Sequence, residues 1–208
     1  MSTRVRDETL PLALAEVAVH GFSDAALKAA AEKAGINSAE MKAAFPNGGA
    51  SLVEAFSHWA DDRMAETMRD IHAERVRERV TQAVKARLEA LAPYKDVARR
   101  AAAFLALPQN APLAASLMMR SVDLMWRAAG DRSSDFSYYT KRALLGGVYG
   151  ATLIHWLSDS SEGHADTWTF LDSRIDDVMQ IEKFRGQARE WMAKLPDPFS
   201  ILGGSSGR

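Results

Sequence analysis

Cysteine is absent from the 208 residues of this chain. Its absence excludes disulfide bonds, thiolate metal ligands and cysteine nucleophiles. No uninterrupted apolar run approaches the roughly 18 residues that a transmembrane helix requires. The first ten residues, MSTRVRDETL, contain neither an apolar signal core nor an Arg/Ser-rich, acid-poor leader. These absences predict a cytoplasmic protein and leave contact with a membrane surface open.

Catalytic and metal-binding motifs are also lacking. The five histidines do not occur at the helical spacings that place metal ligands on one face. His58, Asp61 and Asp62 can share a helix face, for which a solvated charged surface is the expected role. The one Gly-x-Ser-x-Gly match, at 203–207, lies in a Gly/Ser-rich tail rather than between a strand and a helix. We therefore expect a non-enzyme without metal or cofactor.

Helical periodicity dominates the chain, and no segment shows the alternation of a β-strand. Glycines and prolines divide the pattern into segments, because both residue types favour helix ends. The sequence predicts an all-α fold. Its predicted helices cover about 7–20, 24–34, 38–45, 51–71, 76–92, 95–107, 111–129, 136–157 and 166–182, with a further segment after 184.

Three parts follow from this pattern. Residues 1–60 form a helix-turn-helix-like N-terminal unit, and residues 61–182 form a helical bundle. Residues 183–208 form a basic amphipathic tail helix followed by a Gly/Ser-rich end.

The first 60 residues resemble a TetR-type DNA-binding domain, with Gly21-Phe22-Ser23, Ala34-Gly35-Ile36 and Phe45-Pro46 as landmarks. Glu40, however, occupies a recognition-helix position that is typically threonine, and phosphate repels a carboxylate. The segment also contains five Lys/Arg and seven Asp/Glu, whereas DNA-binding modules are usually basic. We expect no nucleic-acid binding; a TetR-type regulator that senses an apolar ligand is the alternative.

The most informative stretch runs from Gly130 to Lys183, GDRSSDFSYYTKRALLGGVYGATLIHWLSDSSEGHADTWTFLDSRIDDVMQIEK. It resembles the C-terminal signature of the coenzyme Q biosynthesis protein nine family. Members of that family are lipid-binding accessory proteins of ubiquinone synthesis with a TetR-like all-helical fold. The resemblance extends from about Arg4 to Lys183. It implies a protein that binds an isoprenoid quinone intermediate or a phospholipid at the inner membrane and presents it to the demethoxyubiquinone hydroxylase.

Methionine and aromatic residues are abundant in the middle of the chain. Core packing explains most of them, although methionine also recurs at surfaces that bind varied apolar ligands. Because TetR-like domains commonly enclose a ligand cavity, the resemblance makes some of these residues candidates for a lipid site. The candidates are Trp59, Met64, Met68, Phe104, Leu117, Met118, Trp126 and Tyr149.

In the family that this stretch resembles, the loop and helix start at 131–142 form the surface that engages the hydroxylase, and the resemblance implies the same role here. Tandem tyrosines beside charged residues are typical of protein interfaces; the alternative is that the two tyrosines cap the core. The candidates are Asp131, Ser133, Asp135, Tyr138, Tyr139, Lys141 and Arg142.

Three glycines, Gly146, Gly147 and Gly150, lie within the following predicted helix. Each costs about 1 kcal/mol relative to alanine in a helix interior, which close approach of another helix would explain. In TetR-like proteins the last two long helices form the dimer interface. A homodimer is therefore expected, with internal packing as the alternative.

The tail helix has one apolar face among basic residues, and five basic and two acidic residues occur from Lys183 onward. Such a helix suits an anionic membrane interface; docking on its own core or on a dimer mate is the alternative. The candidate membrane-binding residues are Phe184, Arg185, Arg189, Trp191, Met192 and Leu195.

Overall fold

The computed structural model describes residues 2–73, 75–131 and 136–193, with most side chains between 4 and 180. Within these ranges the secondary structure is helical, which confirms the all-α prediction. The helices are α1 Ser2–His20, α2 Asp24–Ala34, α3 Ser38–Ala44, α4 Gly49–Arg69, α5 Val76–Leu91, α6 Lys95–Leu105, α7 Ala111–Ala128, α8 Phe136–Ser158 and α9 Ala165–Ala193. Short 3₁₀ turns cover Ala92–Tyr94, Pro108–Asn110 and Glu162–His164.

Helices α1 to α3 form a helix-turn-helix unit whose ends are closed by local hydrogen bonds. The Ser23 hydroxyl accepts from the backbone N–H of Ala26 and caps α2. Gly35 ends α2 in the left-handed region, with φ of 65°. Arg6 donates to the Ala44 carbonyl at 2.9 Å and ties α1 to α3. This contact helps explain why α1 begins at Ser2, five residues before its predicted start.

Gly49 allows the close approach of α4 to the turn before α2. A Cβ atom at this position would lie 2.1 Å from the Phe22 carbonyl oxygen, so no larger residue fits without backbone movement. Helix α4 starts at Gly49 rather than at Ser51. The Ser51 hydroxyl instead accepts from the Asn47 N–H at 3.0 Å and holds the turn.

The larger bundle is built from α4 to α9, and α4 packs against both α5 and α7. The apolar face of α4 supplies much of the shared core through Leu52, Phe56 and Met64, all buried. Helix α8 packs between α7 and α9. Its C-terminal carbonyls are capped from α6, where Arg99 donates to the Leu157 carbonyl at 2.8 Å.

Helix α9 begins at a capped loop. The Asp159 carboxylate accepts from the backbone N–H groups of Ser161, at 2.7 Å, and Thr167, at 3.0 Å. Burial opposes its charge, but hydrogen bonds from Thr167 and Ser161 hold the pKa of Asp159 well below its usual range. The loop carboxylate therefore satisfies an otherwise unpaired donor in the first turn of α9.

Helix α9 continues to Ala193, across the break predicted after residue 182. The segment contains no proline before Pro196, so the backbone can remain helical. Helix α4 likewise continues across residue 60. The division into parts 1–60, 61–182 and 183–208 stays a prediction.

No single helix of the described residues has the length and apolar character of a membrane span. Val76–Leu105 and Pro108–Ala128, bent by 95° relative to each other, meet the length and composition criteria only as a pair.

Candidate functional site

A cavity of about 560 Å³ lies between α4, α5, α6, α7 and α8. Its volume falls in the range of roughly 300–1,000 Å³ that is usual for small-molecule sites. The wall is mostly apolar and includes Phe56 of α4, Leu91 of α5, Leu117 and Met118 of α7 and Leu153 of α8. Five helices therefore border an apolar cavity of small-molecule size.

The cavity opens to solvent beside α6 and α8. Ala103, Ala106 and Ile154 line it and are also exposed, Ile154 by 71%. On α7 the lining runs from half-buried Ala114 to buried Ser121. This interval of seven residues spans roughly 10 Å along the helix axis. The cavity thus has an exposed mouth and an inner end.

The inner end carries a polar cluster, here called the polar floor, in which Ser57 is half-buried and the other members are buried, namely Asp61, Arg87, Ser121 and Tyr149. Arg87 Nε donates to Asp61 Oδ1 at 2.7 Å, and the Ser121 hydroxyl donates to the same oxygen at 2.8 Å. Arg87 also donates to the Ser57 hydroxyl at 2.9 Å and to the Tyr149 hydroxyl. Side chains of four helices are thus linked through Arg87 and Asp61.

The charged groups of the polar floor are shielded from water and paired. Asp61 is 0% exposed and Arg87 is 4% exposed, so their charges are paired in a low-dielectric environment. Burial raises the pKa of the Tyr149 hydroxyl, although Arg87 opposes this shift. Tyr149 is therefore neutral at physiological pH. Arg120, which is partly exposed, approaches Asp61 Oδ2 at 3.4 Å from outside the cavity lining.

The expectation of a solvated face for Asp61 is wrong. Asp61 lies on the buried face of α4 with Ala60 and Met64. Its carboxylate forms an ion pair with Arg87 of α5. A signal for Arg87 was present in the sequence, because it lies seven residues after Val80 on the apolar face of α5. Asp61 and Arg87 are buried together only because α4 packs on α5. The periodicity of either helix alone does not predict that packing.

Three of the eight lipid candidates line the cavity, namely Leu117, Met118 and Tyr149. Trp59 lies one layer behind the wall, where its ring stacks on Phe56 at 6.1 Å. The remaining candidates lie elsewhere: Met64 and Met68 in the buried core, Phe104 against Phe22, and Trp126 in a smaller apolar cleft of about 280 Å³. The structure thus places three of the eight candidates around one cavity. Lipid binding by any of the eight remains a prediction.

The hydroxylase candidates at the start of α8 divide into internal and exposed residues. Arg142 is buried and donates to Asp123 Oδ1 at 2.7 Å, and the Tyr138 hydroxyl donates to the same oxygen at 3.0 Å. Arg142 also approaches Asp131, and Lys141 pairs with Asp131 at 2.8 Å.

Asp123, which sequence analysis missed, is the centre of this network. Burial opposes its charge, but hydrogen bonds from Arg142 and Tyr138 hold the pKa of Asp123 below its ordinary value. Tyr139 is 67% exposed and is free to contact a partner. Ser133 and Asp135 lie outside the described residues. Of the two tyrosines, Tyr138 therefore stabilises the fold and Tyr139 forms the accessible surface.

The glycines of α8 also separate into two roles. A Cβ atom at Gly150 would lie 3.5 Å from Met118, so this glycine faces α7. A Cβ atom at Gly147 would meet nothing within 4 Å. Gly147 lies with Ala143 and Ala151 on an exposed face of small residues. The three residues form an exposed strip of small side chains along α8.

The tail candidates Phe184, Arg185, Arg189, Trp191 and Met192 lie on α9, but their side chains are outside the described residues. Leu195 lies beyond the described part of the chain. The membrane assignment of this segment remains a prediction.

Glu40 of the helix-turn-helix unit has a structural role. Its backbone N–H donates to Asn37 Oδ1 at 2.9 Å, and the Asn37 side chain donates to Glu40 Oε2 at 2.9 Å. Asn37 therefore caps α3, and the Glu40 carboxylate accepts from the amide group of that capping side chain. The Glu40 carboxylate therefore stabilises the start of α3, which is the helix at the recognition-helix position of a TetR-type domain.

The helical arrangement corresponds to a TetR-like fold. A solved structure of a TetR transcriptional regulator from Nitrosomonas europaea superimposes with a TM-score of 0.65 and covers 83% of this chain and 97% of that chain. The two sequences are 23% identical. At this level of identity the likeness establishes the fold alone.

Sequence comparison finds similarity to one family. Residues 111–182 match the family model described as COQ9. The chain is 35% identical over 187 residues to the mitochondrial ubiquinone biosynthesis protein COQ9 of Rattus norvegicus, covering 86% of this chain and 60% of the relative. The corresponding human protein is 33% identical over 187 residues, covering 86% and 58%. The chain thus spans about 60% of the length of these relatives.

Proposed function

We propose that this protein is a non-catalytic, lipid-binding accessory factor of ubiquinone biosynthesis. It would bind an isoprenoid quinone intermediate or a phospholipid and present it to the demethoxyubiquinone hydroxylase. The observation that carries this proposal is the apolar cavity of about 560 Å³ in a chain similar to COQ9 proteins. Those relatives are named mitochondrial ubiquinone biosynthesis proteins.

The architecture of the cavity supports an amphiphilic ligand. Its wall is apolar, so a hydrocarbon tail gains about 25 cal/mol for each Å² removed from water. Its inner end is polar, and its mouth at Ala103, Ala106 and Ile154 is open. A ligand with one polar end and a long tail matches all three features.

The outer face of α8 supports a homodimer. Ala143, Gly147 and Ala151 are exposed at intervals of four residues, which aligns them along the helix. Small residues allow two helix backbones to approach closely. Ile154 extends this face to the mouth of the cavity, so a second copy packed here would lie beside the ligand entrance.

Tyr139 and the tail supply the proposed contacts with the hydroxylase and the membrane. Tyr139 is exposed on a rigid base, because Tyr138 and Arg142 next to it are fixed by Asp123. A preorganised aromatic residue loses little freedom on binding. The basic tail after Lys183 would attach the protein to the inner-membrane surface, where its ligands reside.

A matched pair of substitutions tests cavity binding. Ala114 lines the cavity, whereas its neighbour Ala115 is exposed and lies outside the lining. Ala114→Phe places a ring in the cavity and should abolish uptake of a short-tailed ubiquinone from vesicles. Ala115→Phe adds the same ring on the solvent side and should retain uptake. Equal uptake by both variants would show that the cavity is not the lipid site.

A further inference from the structure

The polar floor presents hydrogen-bond donors to the cavity. The Tyr149 hydroxyl accepts from Arg87, which leaves its own hydrogen available. The Ser57 hydroxyl likewise accepts from Arg87 and keeps its hydrogen. Within the described part of the chain, neither hydroxyl donates to another protein group, and both residues line the cavity. The floor is therefore suited to a ligand that carries acceptor oxygens.

The charge of the floor disfavours an anionic ligand. Arg87 is the only cation among the described residues that line the cavity, and Asp61 already neutralises it. Arg120 belongs to a neighbouring cleft against α1 and α4 rather than to the cavity. A phosphate group at the floor would thus lose its hydration without gaining an unpaired counter-ion, which is strongly unfavourable.

We propose that the polar floor is a head-group site for a neutral ring with carbonyl, hydroxyl or methoxy oxygens, and that it selects such a ring over a phosphate head. The ring oxygens accept from Tyr149 and Ser57. The tail lies along α7, past Leu117 and Met118, and leaves at the mouth beside Ile154. This inference rests on the proposed function: it assigns the chemical class and the orientation of the ligand in the same cavity.

The orientation follows from the distribution of polar groups. From Ser121 to Ala114 the lining of α7 extends roughly 10 Å with Leu117 and Met118 between them. An apolar tail at the floor would leave the two available hydroxyl hydrogens buried without an acceptor. A ring at the floor satisfies them and places the apolar tail against apolar wall.

Three probes of similar length separate recognition of the polar head group from binding of the apolar tail. The first is ubiquinone with a two-isoprene tail, and the second is geranylbenzene, which keeps a ring and the tail but lacks ring oxygens. The third is a lysophosphatidic acid of matched chain length. Their dissociation constants are measured by isothermal titration below the aggregation concentration of each probe. The wild-type protein should bind the quinone about tenfold more tightly than geranylbenzene, and more tightly than the lysophosphatidic acid.

Tyr149→Phe removes the donor and keeps the ring. It should reduce the ratio of quinone to geranylbenzene affinity about 5- to 10-fold, which corresponds to the loss of one hydrogen bond. Ser57→Ala should reduce the same ratio and serves if the Tyr149 variant does not fold. Tyr94→Phe is the matched control, because Tyr94 lies outside the cavity lining, and it should leave the ratio unchanged.

Several outcomes would overturn the inference. An unchanged ratio in both the Tyr149 and Ser57 variants, or tighter binding of the lysophosphatidic acid, contradicts the assigned head group. Equal binding of quinone and geranylbenzene by the wild-type protein removes head recognition and leaves the lipid-carrier function intact. If none of the three probes binds, the proposed function fails, and the inference fails with it.

Discussion

Arg87→Met should destabilise the protein strongly, because it leaves Asp61 as a buried charge without its closest partner. Arg87 Nε lies 2.7 Å from Asp61 Oδ1, and the carboxylate is fully buried. Breaking a buried ion pair by removing one partner costs about 3–5 kcal/mol. Arg120, at 3.4 Å from Asp61 Oδ2, offsets part of the loss and favours the lower end of this range.

A loss of about 3 kcal/mol corresponds to a melting-temperature decrease of roughly 6–12 °C in a chain of this size. Thermal and urea unfolding followed by circular dichroism measures it. Replacing both partners, with Asp61→Leu and Arg87→Met, should recover most of the loss because no unpaired charge remains. The exposed Arg63, paired with Glu66 on the surface, provides a control whose replacement by Met should cost under about 1 kcal/mol. An Arg87→Met protein as stable as this control would refute the burial argument.

Three further predictions concern the loop, the partner surface and the tail. Asp159→Ala should lower the free energy of unfolding by about 1 kcal/mol at neutral pH. The pKa of Asp159 is depressed in the folded state. This contribution is therefore complete above the unfolded pKa of about 4 and decreases at lower pH. A difference between the urea midpoints of the wild type and the variant that stays constant from pH 7 to pH 2 would contradict it. Tyr139→Ala should weaken association with the hydroxylase severalfold in a pull-down titration without lowering the melting temperature, and unaltered association would remove Tyr139 from the interface. Trp191→Glu should reduce sedimentation with anionic vesicles, and an unchanged bound fraction would exclude a membrane role for the tail.

Local sequence signals were sufficient for most helices. Ser23 caps the start of α2 and Gly35 ends it, as predicted. Both signals depend only on residues within one helical turn. Helix boundaries that depend on contacts between residues far apart in the sequence were harder to predict. The early start of α1 is associated with Arg6 and the Ala44 carbonyl, which are 38 residues apart.

The candidate site was predictable only in part. Periodicity identified apolar faces, but it cannot distinguish residues that fill a core from residues that border an empty volume. Met64 and Leu117 have similar patterns, yet Met64 is fully enclosed and Leu117 lines the cavity. The polar floor was missed for a related reason. Asp61 and Arg87 are 26 residues apart, and only the packing of α4 on α5 makes their charges a pair.

The most direct test of the central claim is native mass spectrometry of the purified protein, followed by extraction and identification of any bound lipid. The account predicts a dimer whose additional mass corresponds to a neutral isoprenoid quinone or its phenolic precursor, and the Ala114→Phe variant should lose that mass. A protein that carries no lipid after purification in mild detergent, and binds none when quinone is added, would contradict the account.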